Sequence, residues 1–207
     1  MTSAYYNEIE PFACDWLSNL MDDGLITPGR IDDRDIREVS PDDLAGFRRC
    51  HFFAGVGGWE AALQLAGWPE DAEVWTGSAP CQPFSSAGKL KGIADERHLW
   101  PEFRRLIAAC RPPIVFGEQV ASADGRKWLG GAASETGGEP AEAVGDFEHA
   151  GIRGQLEALG YGVGAADLCA PGTGEEGEGW FVHPSGVVVR ERITLGAPHI
   201  RQRLFWG

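Results

Sequence analysis

Residues 50–66 constrain the fold of this chain more than any other segment. They run from an apolar stretch, 50–54, through a glycine turn, 55–58, into an amphipathic stretch that ends at Ala66. A strand, a tight turn and a helix in this order present backbone N–H groups at a helix N-terminus, where a ligand can approach. A glycine pattern often marks only a turn, so by itself it does not indicate a ligand.

The same alternation of strand and helix continues on both sides of this segment. An N-terminal strand leads to Pro11, which opens an amphipathic stretch with Phe12, Trp16, Leu17 and Leu20 at helical spacing. Apolar patterns predict strands over 5–9, 73–75, 112–120 and 160–168, helices over 12–21, 95–109 and 154–159, and a hairpin over 180–189. The pattern predicts an α/β fold.

Length and composition indicate one soluble domain over residues 1–207. An apolar fraction of 43% argues against wholesale disorder, and no apolar run approaches the length of a membrane span. The N-terminus lacks the basic flank and hydrophobic core of a signal peptide, so we expect a cytoplasmic protein. Five widely spaced cysteines without a Cys-x-x-Cys pair predict neither a disulfide framework nor a metal site.

The net charge of −13 weighs against binding to phosphates, which depends largely on Lys and Arg. The charges are unevenly distributed, however. Acidic residues concentrate in 1–45 and 121–182, whereas basic residues cluster in 89–111 and 190–203. The distribution is compatible with ordinary solvated faces, and we favour a local basic groove on an acidic body.

Cys81 is a candidate nucleophile. It lies between Pro80 and Pro83, shortly after a predicted buried strand, so it would be held rigidly at the carboxyl edge of a sheet. For an arbitrary cysteine, a buried structural thiol is the alternative. The surrounding residues favour the first reading, because Pro80-Cys81-Gln82-Pro83-Phe84-Ser85 resembles the nucleophile motif of the DNA cytosine-5 methyltransferases.

A second motif points to the same family. Phe53-Ala54-Gly55-Val56-Gly57-Gly58 resembles its first S-adenosylmethionine motif. The resemblance implies a Rossmann-like methyltransferase fold, with a mostly parallel sheet and helices on both faces. It also implies S-adenosyl-L-methionine as the cofactor and DNA as the partner, without metal or membrane.

The order of the motifs departs from that of the family. Two strand-helix units normally separate the glycine turn from the Pro-Cys motif, and this chain has no room for them. Their counterparts lie in residues 1–48, where Glu8 and Ile9 resemble the ribose-binding segment and Asp35 and Ile36 the adenine-binding segment. We expect a circular permutation, which surface termini permit. The implied cofactor-binding residues are Phe53, Gly55, Gly57, Gly58, Glu8, Ile9, Asp35, Ile36 and Pro80.

Two later segments complete the resemblance. Glu118 and Gln119 resemble the family's Glu-Asn-Val motif, and residues 199–203 resemble its Gln-x-Arg-x-Arg segment, with His199 replacing Gln. The implied catalytic residues are Cys81, Glu118, Arg201 and Arg203, and the implied substrate-binding residues are Gln82, Ser85, Gln119 and His199. Arg201 and Arg203 alternate along a strand, so both would lie on one face. The target base would be flipped out of the duplex.

Sequence specificity has no obvious location in this chain. The family continues into a target-recognition domain, so we expect residues 121–148, residues 172–193 or a separate polypeptide to contact bases. The primary expectation is a DNA cytosine-5 methyltransferase. The alternatives are a non-catalytic remnant that binds S-adenosylmethionine or DNA, which Gln119, His199 and the acidic charge favour, and an enzyme that modifies cytosine C5 in RNA.

Overall fold

The computed structural model describes the backbone of residues 4–79, 99–120, 151–170, 177–182, 188–193 and 201–206, and the side chains of 4–79, 99–118 and 151–164. The chain forms two compact units. Unit one comprises residues 1–80 and 92–117, and unit two comprises residues 81–91 and 118–207. In the part of the chain that is described, no helix is both long and apolar enough to cross a lipid bilayer.

Unit one is built on a parallel sheet. Its strands lie in the order β2-β1-β3-β4-β5, and every neighbouring pair is parallel. These strands are β1 (Ala4–Asn7), β2 (Gly29–Asp32), β3 (Arg49–Phe52), β4 (Val74–Gly77) and β5 (Val115–Val120), whose last three residues belong to unit two. The chain leaves β1 towards β2 and leaves β3 towards β4, so its connections diverge between β1 and β3. Open α/β sheets bind ligands at such a point.

Helices cover both faces of this sheet, as the family resemblance implies. The helices are α1 (Pro11–Asp22), α2 (Gly58–Leu65) and α3 (Trp100–Cys110), and two 3-10 turns span Ile36–Glu38 and Pro41–Leu44. Leu17 of α1 packs on one face with Ala4 and Tyr6. On the other face the ring of Phe103, from α3, lies 4.9 Å from that of Phe52. The α/β fold is confirmed.

Helix α1 buries a different stripe from the one that its largest residues suggest. Ala13 and Leu17 are buried, whereas Phe12 is 68% exposed and Trp16 is 44% exposed. Phe12 and Trp16 stack on each other instead, with ring centroids 6.4 Å apart. The Glu10 carboxylate caps the start of the helix by accepting a hydrogen bond from the Ala13 N–H at 2.8 Å.

Unit two has one helix and two antiparallel strand pairs among its described residues. The pairs are β6 (Ala165–Ala170) with β9 (Arg201–Trp206) and β7 (Gly177–Val182) with β8 (Val188–Ile193). The hairpin is confirmed. Helix α4 (Gly151–Glu157) begins three residues earlier than predicted. The strand predicted from Gly160 begins only at Ala165, because Gly160 has φ +85° and donates to Glu157 O, closing the helix.

Candidate functional site

A carboxylate and the glycine turn meet at the carboxyl edge of unit one. Glu8 follows β1, and its Oε2 accepts a hydrogen bond from the Gly55 N–H at 2.7 Å. Its Oε1 accepts from the Glu10 N–H at 2.9 Å. The strand order explains this contact between residues far apart in sequence: β1 and β3 are parallel neighbours, with Asn7 opposite Phe52. The N-terminal segment therefore folds against the glycine turn.

The backbone of the glycine turn has positive φ angles at three positions, two of which are glycines. Phe53 and Gly55 both have φ +54°, and Gly57 has φ +80°, in the region that glycine adopts most readily. A Cβ on Gly57 would also lie 3.2 Å from Leu17 Cδ2, so the turn packs closely on α1. Gly57 is the N-cap of α2, and the turn therefore delivers backbone N–H groups to the carboxyl edge of the sheet.

A cleft of about 180 Å³ opens beside this contact. Its lining brings together five of the predicted cofactor-binding residues, and the whole lining consists of Asn7, Glu8, Ile9, Arg34, Asp35, Ile36, Phe53 and Leu99. All eight belong to unit one. The cleft combines carboxylates with aliphatic and aromatic walls, which suits a ligand with hydroxyl groups and a flat apolar ring.

The individual residues of the cleft differ in how much of them a ligand could reach. Ile9 is 62% exposed, whereas Ile36 is only 2% exposed and forms part of the wall. Asp35 caps its own 3-10 turn by accepting from the Arg37 N–H at 2.9 Å, and its other oxygen pairs with the Arg37 guanidinium. Each carboxylate oxygen has two lone pairs, so Asp35 keeps acceptor capacity.

Asp32, at the end of β2, is a functional candidate that the sequence analysis missed. It is 3% exposed and accepts hydrogen bonds from the Tyr5 hydroxyl and from the guanidinium of Arg34, a residue of the cleft. Hydrogen bonds from Arg34 lower the pKa of Asp32 to about 2. Burial opposes this change, and the hydrogen bond from Tyr5 adds to it. Asp32 thus holds Arg34 in place as a fixed anion.

A buried polar layer lies beneath α2 and was also missed. Glu60 is fully buried and accepts hydrogen bonds from Arg49, Thr27 and His51, whose Nε2 lies 2.9 Å from Glu60 Oε2. Burial raises the pKa of Glu60, but hydrogen bonds from His51 and Thr27 outweigh it, so the pKa lies below its ordinary value. The layer fixes α2, and therefore the glycine turn, to the sheet. Glu60 immediately follows Trp59 in an apolar helix, which is a signal that could have revealed it.

The structure describes only some of the predicted catalytic and substrate-binding residues. Glu118 lies in β5 and is half-buried. Arg201 and Arg203 lie in β9, opposite Ala170 and Leu168, so the predicted strand is confirmed. Gln119 lies in β5, where only its backbone is described. The remaining predicted residues, Pro80, Cys81, Gln82, Ser85 and His199, lie outside the described residues.

A larger cleft of about 440 Å³ lies at the opposite, amino edge of the sheet. Arg48 and Glu73, which directly precede β3 and β4, line it together with Cys110 at the end of α3. None of the predicted site residues lies there. The carboxyl edge therefore remains the candidate site. Among the described residues, no cluster of three or more His, Cys, Asp or Glu side chains could hold a metal ion.

Known proteins resemble this chain over a central segment that contains Cys81 and Glu118. Residues 64–127 match the family of C-5 cytosine-specific DNA methylases. Over these residues the chain is similar to those enzymes. The matched segment includes β4, Cys81, α3 and β5 with Glu118.

The share of the chain that is similar differs from one methylase to another. The type II methyltransferase M.HhaI of Haemophilus parahaemolyticus is 26% identical over 166 residues, covering 61% of this chain and 48% of M.HhaI. M.NgoMIV of Neisseria gonorrhoeae is 44% identical over 48 residues, covering 23% and 15%. M.HgiBI of Herpetosiphon aurantiacus is 28% identical over 112 residues, covering 36% and 26%. The chain thus spans about half or less of these relatives.

Proposed function

We propose that this chain carries the cofactor-binding and catalytic parts of a DNA cytosine-5 methyltransferase that uses S-adenosyl-L-methionine. The observation that carries the proposal is the cleft at the carboxyl edge of unit one, where Glu8 accepts a hydrogen bond from the glycine turn. Residues from three strand ends converge there, although they come from sequence segments tens of residues apart. The homology of residues 64–127 supplies the reaction class.

The cleft suits the cofactor. Glu8 would accept hydrogen bonds from the ribose hydroxyls, Ile9 and Ile36 would flank the adenine, and Asp35 would bind its edge. The methionine end would lie against Phe53 and the glycine turn, near Pro80. A Cβ on Gly58 would meet nothing within 4 Å, so there is space beside the N-terminus of α2. When bound, the cofactor supplies a methyl group on a positively charged sulfur.

Cys81 would supply the nucleophile for the base. C5 of cytosine is a poor carbon nucleophile, and a thiolate bond to C6 raises its electron density. Arg201 and Arg203 would favour the thiolate form of Cys81. Glu118 would hydrogen-bond the amino and N3 edge and stabilise charge on the ring. After C5 has gained the methyl group it loses its proton to a base, and Cys81 leaves as the C6–S bond breaks.

The DNA would be engaged around the same residues. The target cytosine would be flipped out of the duplex, with Gln82, Ser85, Gln119 and His199 near the base or its backbone. Basic residues in 89–111 and 190–203 would provide a local groove for phosphates. Target recognition would come from residues 121–148, from residues 172–193 or from a separate polypeptide.

The handedness of the connections supports the permuted order of motifs. The connections β1-α1-β2 and β3-α2-β4 move in opposite directions across the sheet. Both helices nevertheless pack on one face, because Leu17 of α1 clusters with Tyr6, Glu60 of α2 bonds His51, and the rings of Tyr6 and His51 stack. The two crossovers therefore have opposite hands, whereas about 98% of such crossovers are right-handed.

A permutation provides a physical reason for this exception. Cutting and rejoining a chain changes which strand follows a helix without moving the helix on the sheet. Helix α2 would occupy the face that suits a connection from β3 back towards β1, while the permuted chain continues to β4.

Covalent trapping tests the proposed function directly. Duplex DNA containing 5-fluorocytosine should form a stable adduct with the protein when S-adenosylmethionine is present, because fluorine at C5 cannot leave as a proton does. Mass spectrometry should locate the adduct on Cys81, and the Cys81→Ala variant should form none. Bound cofactor without any adduct would favour a non-catalytic remnant, and faster labelling of RNA than of DNA would favour an RNA substrate.

A further inference from the structure

Trp59, the second residue of α2, links three parts of unit one. Its indole Nε1–H donates a hydrogen bond to the Ser78 hydroxyl at 2.9 Å. Its ring stacks on Phe116 of β5, with centroids 6.2 Å apart and an angle of 13° between the planes. The side chain is half-buried. Trp59 thus joins α2 to β5 and to the residue that follows β4.

Each of these contacts leads to a part of the proposed site. Trp59 directly follows Gly57 and Gly58 of the glycine turn. Ser78 is the first residue after β4 and lies three residues before Cys81, while Phe116 precedes Glu118 by two residues. Backbone pairing sets the position of β4 as far as Gly77, opposite Phe52 and Gly117. The hydrogen bond from Trp59 holds the residue just beyond that point.

The distance from Ser78 to Cys81 along the chain makes this contact consequential. Three residues span at most about 10 Å, so the position of Ser78 limits where the sulfur of Cys81 can lie. Packing alone would not require an indole, because a phenyl ring could stack on Phe116 equally well. The hydrogen bond is directional, and it joins two segments of the chain that local sequence does not connect.

We propose that Trp59 is a positioning residue that holds the segment leading to Cys81 in register with the glycine turn. This inference rests on the proposed function. Its role is indirect: Trp59 would act through Ser78 on the nucleophile. Removal of the hydrogen bond should slow the attack of Cys81 on the base. Cofactor binding in the cleft should stay unchanged, because Trp59 does not line the cleft.

Conservative variants separate the hydrogen bond from the packing. Trp59→Phe keeps an aromatic ring against Phe116 and removes the donor, and Ser78→Ala removes the acceptor. Trp68→Phe is the matched control, because Trp68 also packs on Phe116, with centroids 5.6 Å apart, and its indole nitrogen has no hydrogen-bond partner in the described part of the chain.

Adduct formation on 5-fluorocytosine DNA should reveal the coupling. The net contribution of a neutral hydrogen bond corresponds to roughly a twofold to tenfold change in rate. Trp59→Phe and Ser78→Ala should each slow adduct formation by about this factor, with KM for S-adenosylmethionine unchanged, and the double variant should be no slower than either. Trp68→Phe should match the wild type. A wild-type rate in Trp59→Phe, or additive losses in the double variant, would overturn the inference.

A second measurement decides the inference without catalysis. Native alkylation of Cys81 by iodoacetamide, followed by peptide mass spectrometry, reports how firmly its segment is held. Loss of the hydrogen bond should raise the alkylation rate at least about twofold in each single variant, without further increase in the double variant. Equal rates in all variants would refute the positioning role. If the wild type forms no adduct but the variants show this pattern of alkylation rates, the proposed catalysis fails and the positioning role stands.

Discussion

The Asp32 carboxylate gives the most quantitative test of how the carboxyl edge of the sheet is stabilised. Asp32 is almost fully buried and accepts hydrogen bonds from Tyr5 and Arg34, and its pKa falls from 3.8 to about 2 on folding. Asp32→Asn keeps the size of the side chain and removes its charge. The variant should therefore lose the stability that the ionised form contributes, and Arg34 should lose its anchor beside the cleft.

The pH dependence of this loss follows from the direction of the pKa change. A carboxyl group whose pKa is lowered by folding stabilises the protein above its unfolded pKa and loses that contribution as the pH falls through the folded value. The change in pKa corresponds to about 2 kcal/mol at pH 7, about 1 kcal/mol at pH 3 and little at pH 2. The free-energy difference between wild type and Asp32→Asn should shrink in the same way.

Urea unfolding between pH 7 and pH 2 measures this difference. Asp33→Asn is the matched control, because Asp33 is the exposed neighbour of Asp32 and undergoes the same chemical change. Exposed substitutions usually change stability by less than about 0.5 kcal/mol. The reasoning fails if Asp32→Asn is as stable as Asp33→Asn at pH 7, or if its deficit is as large at pH 2 as at pH 7.

Three further substitutions test other contacts of unit one. Glu8→Ala removes the acceptor that we propose for the ribose hydroxyls. Because charged hydrogen bonds contribute about 1.5–3 kcal/mol, calorimetric affinity for S-adenosylhomocysteine should fall at least about tenfold, and an unchanged Kd would contradict this. Glu60→Ala leaves Arg49 buried without its counter-charge and should lower the free energy of unfolding in urea by about 3–5 kcal/mol. A decrease below about 1 kcal/mol would refute the importance of the ion pair. Gly77→Ala places a Cβ against the Phe103 ring and should lower the free energy of unfolding by about 1–3 kcal/mol, which a lower Tm would show. Wild-type stability would mean that the ring moves aside freely.

The sequence by itself determined the elements of the fold and their type. Helix α3 illustrates this, because Phe103, Leu106 and Ile107 recur at helical spacing and all three are fully buried. Strand β5 and the glycine turn were predictable for the same reason, since periodicity and glycine conformation are local properties. Family motifs also pointed to Glu8 and Asp35, which both line the cleft.

Only the tertiary structure decided which of these residues meet. The contact between Glu8 and Gly55, the burial of Asp32 and the ion pair of Glu60 depend on strand order and on which face each helix covers. Sequence periodicity does not encode strand order, and it also failed to show that Phe12 lies outside the core. Long-range hydrogen bonds and burial arise when separate elements pack, so they become visible only once the sheet is assembled.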